Sequence, residues 1–417
     1  GRMSTRVTDG LEFNPGATFL SENYYQLKAY SDELGVPWTA MQEGSSHRVL
    51  RGDSAHPFRL SGPLDLFRLS VISIRARLRL LFWIIKLKLR PIHGNFFDLS
   101  TLGSTERRDA AQFLKSEVSE EVLDYIADPF MGALHFHRSN DFSARALLVL
   151  LKMMLGNKDF SSRYPEGGVQ AIPNALAARL YVERGVEVSS IKSEVAHVTV
   201  KVSGRKEVFD AVVLAAPAPA LLPMLLEPTE SQRKLLASVR YASTVTISFR
   251  VPVDFFRDMT HCIYVPFVKH SFISSCIFEG RKGQGLTADG ETLFNVYLHA
   301  DAAEAILGET DQAIIDRVLK ELPAVCPEFG ERRSEISFNA IARWPLAMPK
   351  FDELLISAVN EFMGTGQGEG GIYLAGDYLN SPWTEGAAQS GKRAAAFIAN
   401  DFGKVLPSGP KEQPPRR

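Results

Sequence analysis

Apolar and polar residues alternate with two different periods along the chain, which predicts two kinds of structural unit. Between residues 240 and 344, short strand-like runs are separated by loops rich in Gly and Asp, a pattern typical of an antiparallel sheet. Residues 209–217 form a buried-strand pattern that ends in small residues and proline. Helical spacing is found in residues 22–34, 64–90, 105–156, 169–180, 312–322 and 353–363. The pattern predicts an α/β fold, and the unit that contains the antiparallel sheet of residues 240–344 is expected to be α+β.

The stretch 370–396, GGIYLAGDYLNSPWTEGAAQSGKRAAA, combines a strand, a Gly-Asp turn and a helix of small residues. The strand covers about residues 372–375, and the helix should begin near Thr384. Amide groups at a helix N-terminus carry partial positive charge and lack partners, so they suit an electron-rich ligand. Asp377, at the carboxyl end of the strand, could accept hydrogen bonds from hydroxyl groups. The tight clustering of these features disfavours an ordinary strand-to-helix connection.

This stretch resembles the carboxy-terminal flavin motif of the FAD-dependent amine oxidase superfamily. That superfamily includes amine oxidases, protoporphyrinogen oxidases and the phytoene and squalene desaturases. The resemblance implies FAD as the cofactor, with Gly376 and Asp377 at its ribityl or pyrophosphate part. It also implies that the amides of residues 384–387 lie beside the isoalloxazine ring, and these residues are Thr384, Glu385, Gly386 and Ala387.

Two further segments resemble parts of the same superfamily. Residues 1–20 resemble the segment that follows its first dinucleotide-binding unit, although a plain surface hairpin is the better interpretation of this segment taken alone. The resemblance implies that Arg2 contacts the pyrophosphate, and that Gly16, Ala17 and Thr18 run under the flavin. Residues 164–168 resemble its Gly-Gly turn, which implies that Gly167 and Gly168 border the flavin and the substrate cavity. Val188 is the best match to a residue that touches the adenine.

The predicted domain organisation is discontinuous. A Rossmann-like FAD-binding domain is expected from residues 1–50, 160–225 and 350–403, and a substrate domain of antiparallel sheet plus helices from residues 51–159 and 226–349. The strand, Gly-rich turn and helix with which the superfamily opens have no counterpart here. The cofactor domain is therefore expected to be incomplete at its N-terminus. The Pro-rich residues 404–417 are expected to be disordered.

Composition narrows the classes of partner. The chain has 417 residues, 45% of them hydrophobic, and a formal net charge of −1, which argues against nucleic acid as a partner. Its three cysteines lack metal-ligand spacing and indicate a reducing, cytoplasmic compartment with all three buried. The chain has no run of about 18 uncharged apolar residues, so no membrane-spanning helix is predicted.

Residues 64–90, LDLFRLSVISIRARLRLLFWIIKLKLR, form the most unusual stretch. On one helix, the basic residues Arg68, Arg75, Arg79, Lys86 and Arg90 would fall in one narrow stripe with apolar residues on both flanks. Such a helix suits docking of a peripheral protein onto an anionic membrane surface. A solvated basic stripe on a helix of the substrate domain is an equally supported interpretation.

The chain contains no Ser-His-Asp pattern, Walker loop or metal-ligand spacing, and His135 and His137 are best interpreted as packing residues. A flavin explains that absence, because it carries the redox chemistry itself. The function expected is FAD-dependent removal of hydride from a C–H bond of a hydrophobic substrate, as in protoporphyrinogen oxidases and carotenoid or squalene desaturases. Oxygen or a quinone would re-oxidise the flavin, and Trp344 and Trp383 would wall the cavity. Alternatives are a flavin amine oxidase and a non-catalytic, membrane-associated binding protein without FAD.

Overall fold

The computed structural model describes residues 1–42, 44–59, 63–102, 106–156, 162–282 and 286–403. The α-helices, in chain order, are α1 Tyr25–Leu34, α2 Pro63–Arg68, α3 Ile74–Leu89, α4 Ala110–Glu117, α5 Glu120–Val122, α6 Asp128–His135, α7 Ala144–Gly156, α8 Ala171–Ala177, α9 Ala218–Leu221, α10 Glu230–Ser238, α11 Ala300–Ile306, α12 Asp311–Glu321, α13 Glu328–Glu331, α14 Glu353–Thr365, α15 Asp377–Asn380 and α16 Trp383–Asp401. A π-helical turn, Leu123–Ala127, joins α5 to α6.

The strands, in chain order, are β1 Arg6–Thr8, β2 Leu11–Phe13, β3 Leu20–Ser21, β4 Trp38–Ala40, β5 Ser46–Arg51, β6 Ser54–Phe58, β7 Ser162–Pro165, β8 Val188–Ser193, β9 Val198–Val202, β10 Arg205–Phe209, β11 Val212–Leu214, β12 Tyr241–Pro252, β13 Thr260–Tyr264, β14 Ile273–Phe278, β15 Thr287–Ala288, β16 Glu291–Leu298, β17 Ser337–Pro349 and β18 Ile372–Leu374. They form five sheets within the described residues. Together with the helices they give the predicted mixed α/β fold.

The largest sheet has eight strands and forms the floor of the site described below. Its main path is β17-β12-β16-β14-β13-β5-β6, and β15 pairs with β16. The predicted antiparallel pairing is confirmed for β12 with β16 and β17, and for β14 with β13 and β16. One face is covered by α11 and α12 over a core that includes Phe249, Phe294 and Phe329. The hairpin β5–β6 joins this sheet through a parallel pairing of β5 with β13.

A short parallel pair, β11 with β18, leads into the predicted cofactor motif. Its registers place Val212 beside Ile372 and Leu214 beside Leu374. On the other edge of β18, the amide side chain of Gln367 donates to the carbonyl of Leu374 (2.8 Å) and accepts from its N–H (2.9 Å). This side chain therefore satisfies the backbone groups that a further strand would otherwise pair with.

The prediction of a single helix over residues 64–90 is wrong, because this segment forms two helices, α2 and α3. Ser73 begins α3 by accepting a hydrogen bond from the N–H of Ala76 (3.2 Å). The guanidinium of Arg77 donates to the carbonyls of Ile72 and Phe67 and so holds the break between the two helices. Within the described part of the chain, no helix is long and apolar enough to cross a bilayer.

The helix predicted for residues 169–180 is also shorter, since α8 ends at Ala177 and two turn-type hydrogen bonds follow it. By contrast, the helix predicted for residues 353–363 is confirmed as α14. Asp352 caps it by accepting a hydrogen bond from the N–H of Leu355 (2.8 Å). The predicted burial of the three cysteines is confirmed. The predicted disordered tail, residues 404–417, lies outside the described residues.

Candidate functional site

Arg2 and Asp377, both predicted to contact FAD, form an ion pair with each other. One guanidinium nitrogen lies 2.6 Å from Asp377 Oδ2 and the other donates to Oδ1 at 3.1 Å. Arg2 also donates to the carbonyl of Ala347 (3.1 Å). Burial opposes the charge of Arg2, but the adjacent carboxylate outweighs it and raises the pKa of the guanidinium. The pair joins the N-terminal segment to the carboxyl end of β18 and presents a fork of donors beside a carboxylate.

The loop of residues 15–18 runs across the eight-stranded sheet and is held there through its carbonyl groups. The indole of Trp344 donates to the carbonyl of Pro15 (2.7 Å), and the Thr246 hydroxyl donates to the same oxygen (3.2 Å). The N–H of Ala17 donates to the carbonyl of Arg2 (2.7 Å). Any side chain at Gly16 would overlap that carbonyl, so only glycine fits there. The loop is therefore a fixed backbone surface.

A buried polar group that the sequence analysis missed supports the end of this loop. Lys282 Nζ donates to the carbonyl of Thr18 (2.8 Å) and to Glu279 Oε1 (2.7 Å). Asn295 Nδ2 donates to the same carboxylate oxygen (2.8 Å). Burial lowers the pKa of Lys282 and raises the pKa of Glu279, while their mutual attraction opposes both shifts. No local sequence signal marks this group, because Lys282 and Thr18 are 264 positions apart in the sequence.

Helix α16 starts at the same place, and its first residues face the loop. Trp383 has φ of +83°, a left-handed conformation that is costly for a bulky residue and persists only where the surroundings enforce it. The hydroxyl of Thr384 is buried and has no hydrogen-bond partner among the described residues. A buried hydroxyl without a partner suits a polar ligand edge next to it. Ala387 lies about one helical turn after Thr384, and its small side chain takes up little space in the cavity.

Glu385 is fully buried, and its side chain is used inside the protein. Its two carboxylate oxygens accept hydrogen bonds from the N–H groups of Gln26 and Leu27, both at 2.9 Å. These N–H groups are at the start of α1, where no other side chain caps the helix. Burial raises the pKa of Glu385, and the backbone hydrogen bonds partly offset that shift. The contact with the isoalloxazine ring that was predicted for Glu385 involves its backbone amide and not its carboxylate.

A cavity of about 310 Å³ lies between the loop of residues 15–18, the end of α6, the large sheet and the start of α16. Its volume is near the lower end of the range for small-molecule sites, about 300–1,000 Å³. Among the described residues, six aromatic side chains line it: Phe19, Tyr24, Phe136, Tyr297, Trp344 and Trp383. Of these, only the two tryptophans belong to the predicted site. The others were missed because helix and strand patterns mark burial and do not indicate which cavity a residue faces.

The ionisable groups in this lining are the Arg2–Asp377 pair and two tyrosines. Burial, with a smaller contribution from the charge of Glu385, raises the pKa of Tyr24 well above 10.0. Burial likewise raises the pKa of Tyr297 well above 10.0. Both phenols are therefore neutral at physiological pH. The cavity is thus apolar and aromatic, with one compensated ion pair at its edge.

Trp383 is fixed by rings on several sides. It stacks against His135, with ring centroids 5.4 Å apart at 22°, and against Tyr24 at 6.1 Å and 29°. Phe96 packs on it at 5.2 Å. His135 is fully buried, its two ring nitrogens have no hydrogen-bond partner among the described residues, and burial lowers its pKa well below 6.5. His135 therefore packs as a neutral ring, and within the described residues no cluster of His, Cys, Asp or Glu could hold a metal.

The structure brings together most of the predicted site residues but not all of them. The cavity is lined by Arg2, Gly16, Ala17, Thr18, Trp344, Asp377, Trp383, Thr384 and Ala387. Gly376 and Gly386 lie behind this surface: the N–H of Gly376 donates to Ser390 (2.8 Å), and Gly386 packs against the carbonyl of Ser381.

Three predicted residues lie elsewhere. Gly167 and Gly168 form a turn after β7 with φ of +77° and +81°, and Gly168 packs against Thr5 instead of lining the cavity. Val188 is half-buried in the antiparallel sheet β8–β10 and does not line the cavity either. A second cavity, of about 420 Å³, is lined mainly by residues of α12, together with Phe249 and Phe338, and by none of the predicted site residues.

This chain belongs to the flavin containing amine oxidoreductase family, which it matches over residues 1–399. This match confirms the resemblance to the FAD-dependent amine oxidase superfamily that the sequence motifs indicated. The chain is therefore an FAD-dependent oxidoreductase with FAD as its cofactor. A comparison with curated protein sequences found no match. The unpartnered Thr384 hydroxyl, the helix start beside it and the fixed loop of residues 15–18 are compatible with a flavin ring in the cavity.

Solved structures of similar fold include enzymes that act on different substrates. The putative protoporphyrinogen oxidase from Exiguobacterium sp. 255-15 is 16% identical, with a TM-score of 0.74 over 96% of this chain and 90% of that chain. Cyclohexylamine oxidase from Brevibacterium oxydans IH-35A is 15% identical, with a TM-score of 0.74 over 97% and 92%. The CLA-producing fatty acid isomerase from P. acnes is 15% identical, with a TM-score of 0.67 over 96% and 90%. At these identities the likeness establishes the fold alone.

Proposed function

We propose that this chain removes hydride from a C–H bond of a hydrophobic substrate, in the manner of protoporphyrinogen oxidases or carotenoid and squalene desaturases. The observation that carries the proposal is the lining of the 310 Å³ cavity, which is aromatic and aliphatic and has no unpaired charge among its described residues. A charged substrate would lose its hydration there without gaining a counter-ion. An apolar substrate meets no such cost.

The residues around the cavity divide into two roles in this proposal. Arg2 and Asp377 hold the ribityl and pyrophosphate part of FAD, through guanidinium donors and carboxylate acceptors. The first amides of α16 and the Thr384 hydroxyl hold the electron-rich edge of the ring system. When bound, FAD supplies the hydride acceptor. Trp344 and Trp383 exclude water from the place where the substrate C–H bond must lie.

Flavin amine oxidation is the second candidate function. Tyr24 and Trp383, whose ring centroids lie 6.1 Å apart, place two aromatic rings in the lining, and an amine could be held by cation–π contact with one of them. The similarity to cyclohexylamine oxidase agrees with this alternative. Against it stands the absence, among the described lining residues, of a carboxylate that is not already paired with a cation.

A substitution at Met348 separates the two candidates. Met348 lines the cavity, and glutamate has a side chain of similar length. With FAD-loaded protein, kcat/KM would be measured for a porphyrinogen, a polyene and cyclohexylamine. If the substrate is hydrophobic, Met348→Glu should lower kcat/KM for it by about tenfold or more, since an unpaired carboxylate would be placed in the cavity.

Met348→Leu is the matched control and should change kcat/KM by no more than about twofold, because it conserves volume and apolar character. If instead cyclohexylamine is oxidised by the unaltered protein and the new carboxylate improves its kcat/KM, the amine alternative is correct. Retained FAD absorption in both variants confirms that the changes act on the substrate.

A further inference from the structure

Helix α3 presents to the surface an apolar stripe that the other described residues leave exposed. Five large apolar side chains on it are between 49% and 79% exposed: Ile74, Leu78, Phe82, Ile85 and Leu89. At about 100° per residue they fall within an arc of about 80°. The opposite face, with Ala76, Leu80, Trp83 and Leu87, packs into the core. Exposed apolar residues are normal when scattered, but a continuous row along a whole helix indicates an interaction surface.

Basic side chains border this stripe. Arg75, Arg79 and Lys86 lie along one side of it at the same helical periodicity, and Lys88 lies on the other side. None of these four forms an ion pair within the described residues. The sequence contains no acidic residue from position 66 to position 97. The carboxylate of Glu121, near the start of α3, is paired with Arg51 (3.2 Å).

Hydrogen bonds within the protein hold both ends of α3. Ser73 caps its start, and Lys152 Nζ, from α7, donates to the carbonyls of Leu87 (3.1 Å), Lys88 (2.8 Å) and Arg90 (3.0 Å) at its end. A cation at a helix C-terminus satisfies carbonyls that otherwise lack partners. The surface is therefore rigid and is about 24 Å long, from 16 residues at about 1.5 Å each.

We infer that α3 docks this protein onto an anionic membrane surface, with the apolar stripe in the interface and the basic side chains at lipid headgroups. An apolar row flanked by cations matches the chemistry of that interface, where acyl chains lie beneath negative phosphates. Charge complementarity thus selects an anionic bilayer over a neutral one. The inference does not depend on the proposed function, because docking requires neither FAD nor a substrate.

The test is co-sedimentation of the full chain with vesicles of phosphatidylcholine alone or with added phosphatidylserine. Binding to the anionic vesicles that weakens at high salt is expected, with little binding to the neutral ones. Arg75→Gln with Arg79→Gln should reduce the affinity about 25-fold, since one basic residue near such a surface contributes about fivefold. Leu78→Gln with Phe82→Gln should reduce it about tenfold or more.

Matched controls carry the same types of change on other exposed surfaces. Lys206→Gln with Arg233→Gln, and Leu180→Gln with Leu226→Gln, should leave vesicle binding unchanged. Thermal unfolding of each variant shows that α3 still packs. Equal binding to both vesicle types, or unchanged binding by both α3 variants, would overturn the inference. So would a concentration-dependent dimer that the α3 substitutions abolish, because a second copy would then cover the stripe.

Discussion

Replacing Lys282 with methionine tests how the loop below the cavity is held. The side chains of Lys282 and Glu279 are 1% and 2% exposed, and their charged atoms lie 2.7 Å apart. Methionine fills a similar volume but leaves a buried carboxylate without its cation and the carbonyl of Thr18 without its donor. Breaking one partner out of a buried pair costs about 3–5 kcal/mol of unfolding free energy.

The same change should make stability depend on pH. Burial already raises the pKa of Glu279 above its ordinary value of 4.5, and loss of the cation raises it further. Above pH 4.5 the unfolded chain releases this proton while the folded protein keeps it. Stability of Lys282→Met should therefore fall by about 1.4 kcal/mol per pH unit between 4.5 and the folded pKa. The loss is smallest at low pH, where the proton is bound in both states.

Urea unfolding followed by tryptophan fluorescence, at several pH values between 4.5 and 8, measures both effects. Lys234→Met is the control: it removes an exposed ion pair with Glu361 and should cost about 0–1 kcal/mol with no added pH slope. Lys282→Met with Glu279→Leu should remove the slope, because the titrating group is gone. If Lys282→Met unfolds like the unaltered protein at every pH, Glu279 does not depend on Lys282 and the reasoning is refuted.

Three further outcomes follow from the same structure. Glu385→Ala should speed hydrogen exchange at the amides of Gln26 and Leu27 by about 10–100-fold, because it leaves both without an acceptor; unchanged exchange there would contradict the capping role. Gly16→Ala should weaken FAD binding strongly in a fluorescence titration, since the new methyl group overlaps the carbonyl of Arg2; equal affinity would show that the loop is not fixed. Burial raises the pKa of all three cysteine thiols, so a thiol reagent should modify them only after unfolding; rapid labelling of the native protein would contradict their burial.

The features of the site that could be predicted are those formed by residues close together in the sequence. An apolar run, a Gly-Asp step and a row of small residues predict β18 and the start of α16 within one or two residues. Likewise, short strand-like runs separated by loops predict an antiparallel sheet for residues 240–344, but not which strands pair. These features depend on neighbours in the chain, so their pattern is visible without the fold.

The rest depends on contacts between distant segments. The break before α3 contains neither glycine nor proline, and it is held by the guanidinium of Arg77 reaching back to Phe67 and Ile72. Lys282 donates a hydrogen bond to Thr18, which is 264 positions away in the sequence, and no periodicity in the sequence predicts a contact of this kind. The same holds for Tyr297, whose position on β16 predicts burial but not the cavity it lines.

The central claim is that the flavin ring binds in the 310 Å³ cavity between the loop of residues 15–18 and the start of α16. A crystal structure of the full chain with FAD measures this directly. Electron density for the isoalloxazine ring is expected against Ala17 and Thr384, with Asp377 at the ribityl or pyrophosphate part. FAD bound elsewhere, with this cavity filled only by solvent, would contradict it.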